Sequence, residues 1–244
     1  MPSEVTRRRF IGSTGTAALL GAGTAIAAGP GAAQAAGPAR PIKILGICCS
    51  LRKGKTTAAA LGICLEAVKA ADARIEVELV ELAGLKIPAE PAAGIDLAPG
   101  ERDDFPGLLT KLSEPALAGI IFGTPVYFGN MSSLCKAFLE RCIVFHKSKL
   151  LANKVGGVLA VGGGRNGGQE LTIRSVQVAL MSQQMIVVGD APPTGHWGGT
   201  LWGGNPAVNT GPAPDIARDE VGVATAKNLG RRVAEIALRL QVSG

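Results

Sequence analysis

No stretch of the 244-residue chain approaches the roughly 20 unbroken apolar residues that a stable bilayer span needs. Charge is scarce too. Only 18% of residues are charged while 47% are hydrophobic, which excludes disorder of the acidic or basic kind. The net charge of +6 is thinly spread, and no run of Lys and Arg exceeds Arg7-Arg8-Arg9, so nothing marks a nucleic-acid-binding protein. An anionic small ligand would suit the modest excess. The five Cys include no CxxC pair, which excludes a zinc ribbon and a thioredoxin-type redox site. Aromatic residues are rare, with six Phe, two Trp and a single Tyr, against 34 Gly. With so few aromatics, the place of each one carries weight.

Residues 1–35 read as an address rather than as structure. Arg7, Arg8 and Arg9 precede Phe10-Ile11, a weakly apolar run covers 17–28, and Ala33-Gln34-Ala35 offers a small-residue cleavage site. Together they make the three-part layout of a secretory signal. Two Arg followed by x-Phe-Ile resembles the twin-arginine (Tat) export signal, and the Gly-diluted apolar run suits that route better than general secretion. Cleavage near Ala35 leaves 36–244 as one domain, periplasmic or otherwise exported. Because this route carries folded proteins, it favours a tightly held cofactor. Unpatterned cysteines in such a product are expected in the core, not in a disulfide framework.

Beyond the signal, apolar runs alternate with helical patterns. Residues 42–48 read as a buried strand, and 57–70 as a helix with Leu61, Leu65 and Val68 on one side. The strand at 75–80 carries Glu76 and Glu78 at alternate positions, as expected of an edge. A Pro-rich loop at 88–106 and a short helix near 107–113 precede a strand at 118–122. A helix at 131–145, a strand at 154–161, a helix at 170–183 and a strand at 185–188 follow. A Gly/Pro-rich loop spans 189–215, and a long helix closes the chain at 219–240. This alternation predicts an α/β fold in which one parallel sheet is doubly wound by helices on both faces. Ligands on such sheets bind at the carboxyl ends of the strands. Cys135, Cys142 and His146 share one face of the predicted helix and read as an apolar stripe with a polar end, so no metal ligand is assigned.

Three strand ends carry unusual loops. After the first strand, Ser50-Leu51-Arg52-Lys53-Gly54-Lys55-Thr56-Thr57 opens a helix, where hydroxyls, N–H groups and cations form a phosphate-type anion site. A helix cap by Thr56 or Thr57 with solvated lysines is the plainer alternative. The same loop is a Walker A motif with Cys49 in place of its first Gly. The third strand ends in Phe122-Gly123, with no Asp to hold magnesium, so a nucleoside triphosphatase is disfavoured. After the third strand, Tyr127 stands beside Phe128 in the polar, Gly-bounded loop 123–132. Core packing does not explain this pair, whereas a flat apolar ligand edge would. After the fourth, seven of the thirteen residues from 156 to 168 are Gly, so the backbone can approach a ligand closely and present N–H donors.

A phosphate loop, an aromatic loop and an amide-rich loop on strand ends describe an FMN site. On these motifs the sequence resembles the NAD(P)H-dependent FMN reductase family of flavodoxin-like proteins, close to the branch that includes iron–sulfur flavoproteins. Ser50-x-Arg52-Lys53-Gly54-x-x-Thr57 matches the phosphate loop, with Leu51 where Pro is usual. Thr124-Pro125-Val126-Tyr127-Phe128-Gly129-x-Met131-Ser132 matches the ring-binding loop, and Gly163-Gly164-Arg165-Asn166-Gly167-Gly168-Gln169-Glu170 the third loop. The resemblance implies a five-stranded parallel sheet of order 2-1-3-4-5. It implies FMN bound by Ser50, Arg52, Lys53, Thr56 and Thr57 at its phosphate. Thr124, Pro125, Val126, Tyr127, Phe128 and Gly129, with Gly163, Gly164, Arg165, Asn166 and Gly167, would hold the ring.

The resemblance also implies an oxidoreductase in which electrons pass through flavin N5 from a donor such as NAD(P)H to a quinone, flavin or metal acceptor. N–H groups around 164–167, with Arg165, would stabilise negative charge on the ring, and no side chain is assigned as catalytic acid or base. Partners would be small-molecule or protein electron donors and acceptors, and the chain a homo-oligomer, dimer or tetramer. His196 and Trp197 would close the pocket. Iron–sulfur flavoproteins carry a cysteine cluster between the second and third strands. Residues 84–113 here contain no Cys, so no iron–sulfur centre is expected. Export conflicts with NAD(P)H as donor. The alternative is a non-enzymatic flavodoxin-type electron carrier in the periplasm, although such carriers tend to be acidic and this chain is basic.

Overall fold

Ile42–Cys48 forms β1, a run of Ile and Leu buried on both faces, as a strand at the middle of a parallel sheet must be. The computed structural model describes residues 41–204 and 215–242, and the expected export signal at 1–35 lies outside them. β2 (Ile75–Glu81) is fully buried only at Ile75 and Val80 and takes the edge, whereas β3 (Leu117–Pro125) and β4 (Val155–Gly162) are buried throughout. With β5 (Ile186–Val187) these pair in parallel in the order β2-β1-β3-β4-β5.

The sheet differs from the expected five strands in one respect. Within the Gly/Pro-rich loop, Gly199–Trp202 forms β6, which pairs in parallel with β4 over Leu159–Gly162, while β5 pairs only with Val155 and Gly156. Two short strands thus share one edge of β4. Gly199 lets β6 lie close, since a Cβ there would come within 2.8 Å of Leu159.

α1 (Thr56–Lys69) and α6 (Glu220–Val242) cover one face of the sheet, packing Leu61, Leu65 and Val68 with Leu229 and Val233. α3 (Ser133–Arg141) and α5 (Gln169–Ser182) cover the other, which also holds α2 (Leu109–Leu112). There Phe138 meets Phe105 edge-on at 5.7 Å and Phe122 at 6.1 Å. The helix expected at 131–145 starts at Ser133, because Ser132 caps it by accepting the Cys135 N–H. It is interrupted at Cys142 before a short α4 (Ile143–His146). Cys135 and Cys142 are buried while His146 is exposed, so the three do not form one face.

The Pro-rich loop is fastened by one buried side chain. Arg141 donates to the Asp103 carboxylate at 2.7 Å and the Pro88 carbonyl at 2.9 Å, and its guanidinium lies 4.7 Å from the Phe105 ring centre. No helix among the described residues is long and apolar enough to cross a membrane.

Candidate cofactor site

The three loops singled out in the sequence converge on one cavity of about 710 Å³ at the carboxyl ends of β1, β3 and β4. Arg52, Lys55 and Thr56 line it from the first loop, Pro125, Val126 and Tyr127 from the second, and Gly162 and Gly163 from the third. Gly203, Gly204, Asp215 and Ile216, beyond β6, complete the wall.

The first loop is shaped from within. The buried Ser50 hydroxyl accepts the Arg52 N–H at 3.1 Å and donates to the Arg52 carbonyl at 3.2 Å. Gly54, at φ +64°, donates its N–H to the Glu81 carboxylate at 2.7 Å. Lys55, not Thr56 or Thr57, is the N-cap of α1, and its side chain makes no capping bond. The first helical bond runs from Ala59 N–H to the Lys55 carbonyl. The N–H groups of Thr56, Thr57 and Ala58 therefore meet no acceptor among the described residues, at the positive end of the helix dipole and beside two cations. Thr57 is buried, and Lys53 is exposed and does not line the cavity.

The second loop is tied to the first. Buried Thr124 accepts the Ser132 N–H at 3.1 Å, and the Ser132 hydroxyl donates to the Cys49 carbonyl at 2.6 Å. Tyr127 and Asn130 exchange both backbone hydrogen bonds across Phe128 (φ +50°) and Gly129 (φ +74°). This is the I′ type of hairpin turn, an uncommon place for Phe. Phe128 projects wholly into solvent, away from the cavity that Tyr127 lines.

The third loop is braced by its carbonyls. Gly163 accepts the Trp202 indole N–H at 2.8 Å, and Gly164 accepts Gln169 Nε2 at 2.7 Å. Gly167 N–H donates to Gln169 Oε1 at 2.8 Å. Arg165 pairs with the buried Asp219 carboxylate at 3.1 Å and lies over Trp202, while Asp219 also accepts the Trp202 backbone N–H at 2.7 Å. The N–H groups of Gly163, Gly164, Arg165 and Asn166 meet no acceptor among the described residues. Loops two and three touch, since a Cβ on Gly168 would come within 2.9 Å of the Gly129 Cα.

Arg165 and Asn166 line a second cavity, of about 450 Å³, with His196 and Thr200. His196 is fixed through its N–H to buried Asp190, and Trp197 stacks under Arg174 at 5.0 Å, so neither lines the first cavity. Sequence reasoning missed Trp202, Gly203, Asp215, Ile216 and Asp219. Trp202 carried a usable signal, because a rare aromatic in a Gly/Pro-rich stretch is as conspicuous as Tyr127. Asp219 carried none.

The cysteines are divided between the two faces of the sheet. All five are buried, Cys49, Cys135 and Cys142 in one core and Cys48 and Cys64 in the other. Burial pushes the Cys48 thiol up to about 11 and those of Cys64 and Cys142 up to about 12. Cys49 is raised by burial and then by its hydrogen bond with Cys135.

A family model described as NADPH-dependent FMN reductase matches residues 42–198. An iron–sulfur flavoprotein from Methanocaldococcus jannaschii is 38% identical over 201 residues, covering 80% of this chain and 97% of that relative. An NAD(P)H dehydrogenase (quinone) from Paracoccus denitrificans is 36% identical over 128 residues, covering 50% of this chain and 62% of that relative. A crystal structure of RosB, 20% identical, superposes with a TM-score of 0.59 over 82% of this chain and 79% of that one, a likeness of fold.

Proposed function

The chain belongs to the NADPH-dependent FMN reductase family, and from that premise we propose that its 710 Å³ cavity holds one FMN. The phosphate would lie at the N-terminus of α1 and the ring between the second and third loops. One observation carries the reading: Thr56 and Gly163, each the first of a run of N–H groups without acceptors among the described residues, line a cavity walled by Pro125, Val126 and Tyr127. An anion suits the first run and a flat ring with polar edges the second. When bound, FMN supplies electron exchange between a donor and an acceptor.

The chain's own residues bind and orient. Arg52 and Lys55 neutralise the phosphate, and the unpaired N–H groups of α1 satisfy its oxygens. Val126 and Tyr127 flank the ring. The Gly163 N–H, in a loop fixed in advance by Trp202, Gln169 and Asp219, would meet the ring's polar edge without reorganising. Ser50 and Thr124 shape the loops that present these groups.

NAD(P)H is the proposed donor, and the name of the Paracoccus relative supports a quinone as acceptor, with free flavin or a metal ion as the other classes. The cysteine arrangement supports a flavin-only protein, the Arg7-Arg8 segment supports export through the twin-arginine route, and the family resemblance supports assembly as a homo-oligomer. A carrier without enzymatic turnover is the second reading, favoured by the scarcity of NAD(P)H outside the cytoplasm. Purified protein should carry or take up FMN and oxidise NADPH or NADH rapidly with a quinone. Slow turnover with a full complement of FMN would favour the carrier, and colourless protein unable to take up FMN would sink both. Replacing Arg7-Arg8 by Lys-Lys should retain the chain in the cytoplasm, and unchanged export would refute the signal.

A further inference from the structure

β2 ends level with β1, since Glu81 lies opposite Cys48 in their parallel register. Its neighbours Val80 and Leu82 are buried, and the Leu82 N–H donates to the Cys48 carbonyl at 3.0 Å. The backbone that carries Glu81 is therefore fixed on both sides. From this edge of the sheet its half-buried carboxylate reaches the first loop, where it accepts the Gly54 N–H at 2.7 Å.

Gly54 stands at φ +64°, the single positive value between Ser50 and Thr57, so the chain changes direction there. A Cβ at Gly54 would meet nothing within 4 Å, so the demand for Gly is conformational and not steric. Ser50 fixes the start of the loop through its two bonds to Arg52, and Lys55 opens α1 without a side-chain cap. Among the described residues, the Gly54–Glu81 bond is the one hydrogen bond that ties residues 53–55 to the sheet.

The charges around this bond are arranged to an end. Gly54 is flanked by Lys53 and Lys55, with Arg52 next, and none of the three is in an ion pair among the described residues. A carboxylate beside three cations would ordinarily neutralise one of them. Here it bonds the backbone instead, so Arg52 and Lys55, which line the cavity, keep their charge for a ligand.

We propose that Glu81 is the positioning residue of the first loop. Acting through Gly54, it holds Arg52 and the N-terminus of α1 toward the cavity, and so sets the preference for a flavin that carries a phosphate. The inference rests on the flavin reading above for the identity of the ligand. Glu81 acts as a hydrogen-bond acceptor, while its charge opposes the phosphate that the loop receives. Two substitutions separate these contributions, because Glu81→Gln keeps an acceptor without the charge and Glu81→Ala keeps neither.

Titration of the flavin-free protein with FMN and with riboflavin, followed by flavin fluorescence, tests the assignment. Glu81→Ala should weaken FMN about tenfold and leave riboflavin within about twofold of the wild type. Glu81→Gln should bind FMN at least as tightly as the wild type. Gly54→Ala strains the turn without a clash and should also weaken FMN alone. Adding Glu81→Ala to it should weaken FMN little further, since both changes act on one bond. Equal losses for FMN and riboflavin in Glu81→Ala would assign Glu81 to general stability and overturn the proposal. Glu81→Gln as weak as Glu81→Ala would overturn the acceptor role, and losses at Gly54 and Glu81 that add would overturn the action through Gly54. A wild type without preference for FMN would sink the flavin reading itself. A preference untouched by Glu81→Ala would overturn this proposal and leave that reading standing.

Discussion

Asp219 steadies the third loop from outside it. Its buried carboxylate holds the Trp202 N–H and the Arg165 guanidinium, and Trp202 in turn holds the Gly163 carbonyl. Without these bonds a loop so rich in Gly would have too much freedom to present its N–H groups in one direction. Asp219→Asn keeps the shape but loses the charge, and is expected to weaken FMN binding about tenfold with k for turnover at saturating FMN little changed. Flavin fluorescence titration and steady-state kinetics separate the two. Nothing in the sequence points to Asp219, which lies 54 residues beyond its partner Arg165. Ser50 and Thr124 were visible as loop residues, but their hydroxyls turn inward to the backbone of the loops, a direction that no motif encodes.

Among the elements, the segment between β2 and β3 holds its shape through a cation. Arg141 on α3 reaches back to Asp103 and Pro88, and Asp104 fastens the same loop by accepting the Lys86 N–H at 2.7 Å. Burial works to raise the Asp103 carboxyl, but Arg141 and the Phe105 N–H outweigh it and hold the group below its usual value. A carboxyl lowered in the folded state stabilises the fold fully above its unfolded value of about 3.9, and this contribution is lost as pH falls through the lower folded value. Arg141→Met should therefore cost about 2 kcal/mol in urea denaturation at pH 7, because it removes the cation from a half-buried carboxylate and the packing on Phe105. The gap to the wild type should narrow below about pH 4, where Asp103 takes up a proton. A cost independent of pH would assign the effect to packing against Phe105 alone. The long elements were legible from hydrophobic periodicity. β6 was not, since four residues starting at Gly199 show too little alternation to stand out from a Gly/Pro-rich loop. The break at Cys142 was equally hidden, because the apolar spacing runs through it.

For the whole molecule, the parallel sheet and the convergence of three loops on one cavity follow from the alternation of strands and helices and from the rule that ligands sit at strand carboxyl ends, whereas the strand order was implied by the family resemblance. The fourth wall includes Gly203 and Gly204, which directly follow β6, so this part of it was out of reach once β6 was missed. The central claim is that the cavity is built around a phosphate at the α1 N-terminus. Titrating flavin-free protein with FMN and with riboflavin, in the wild type and in Lys55→Glu, tests it directly. The account predicts one FMN per chain and riboflavin at least about 100-fold weaker, with Lys55→Glu narrowing that gap by weakening FMN alone. Equal affinity for the two flavins, or a gap unmoved by Lys55→Glu, would contradict it.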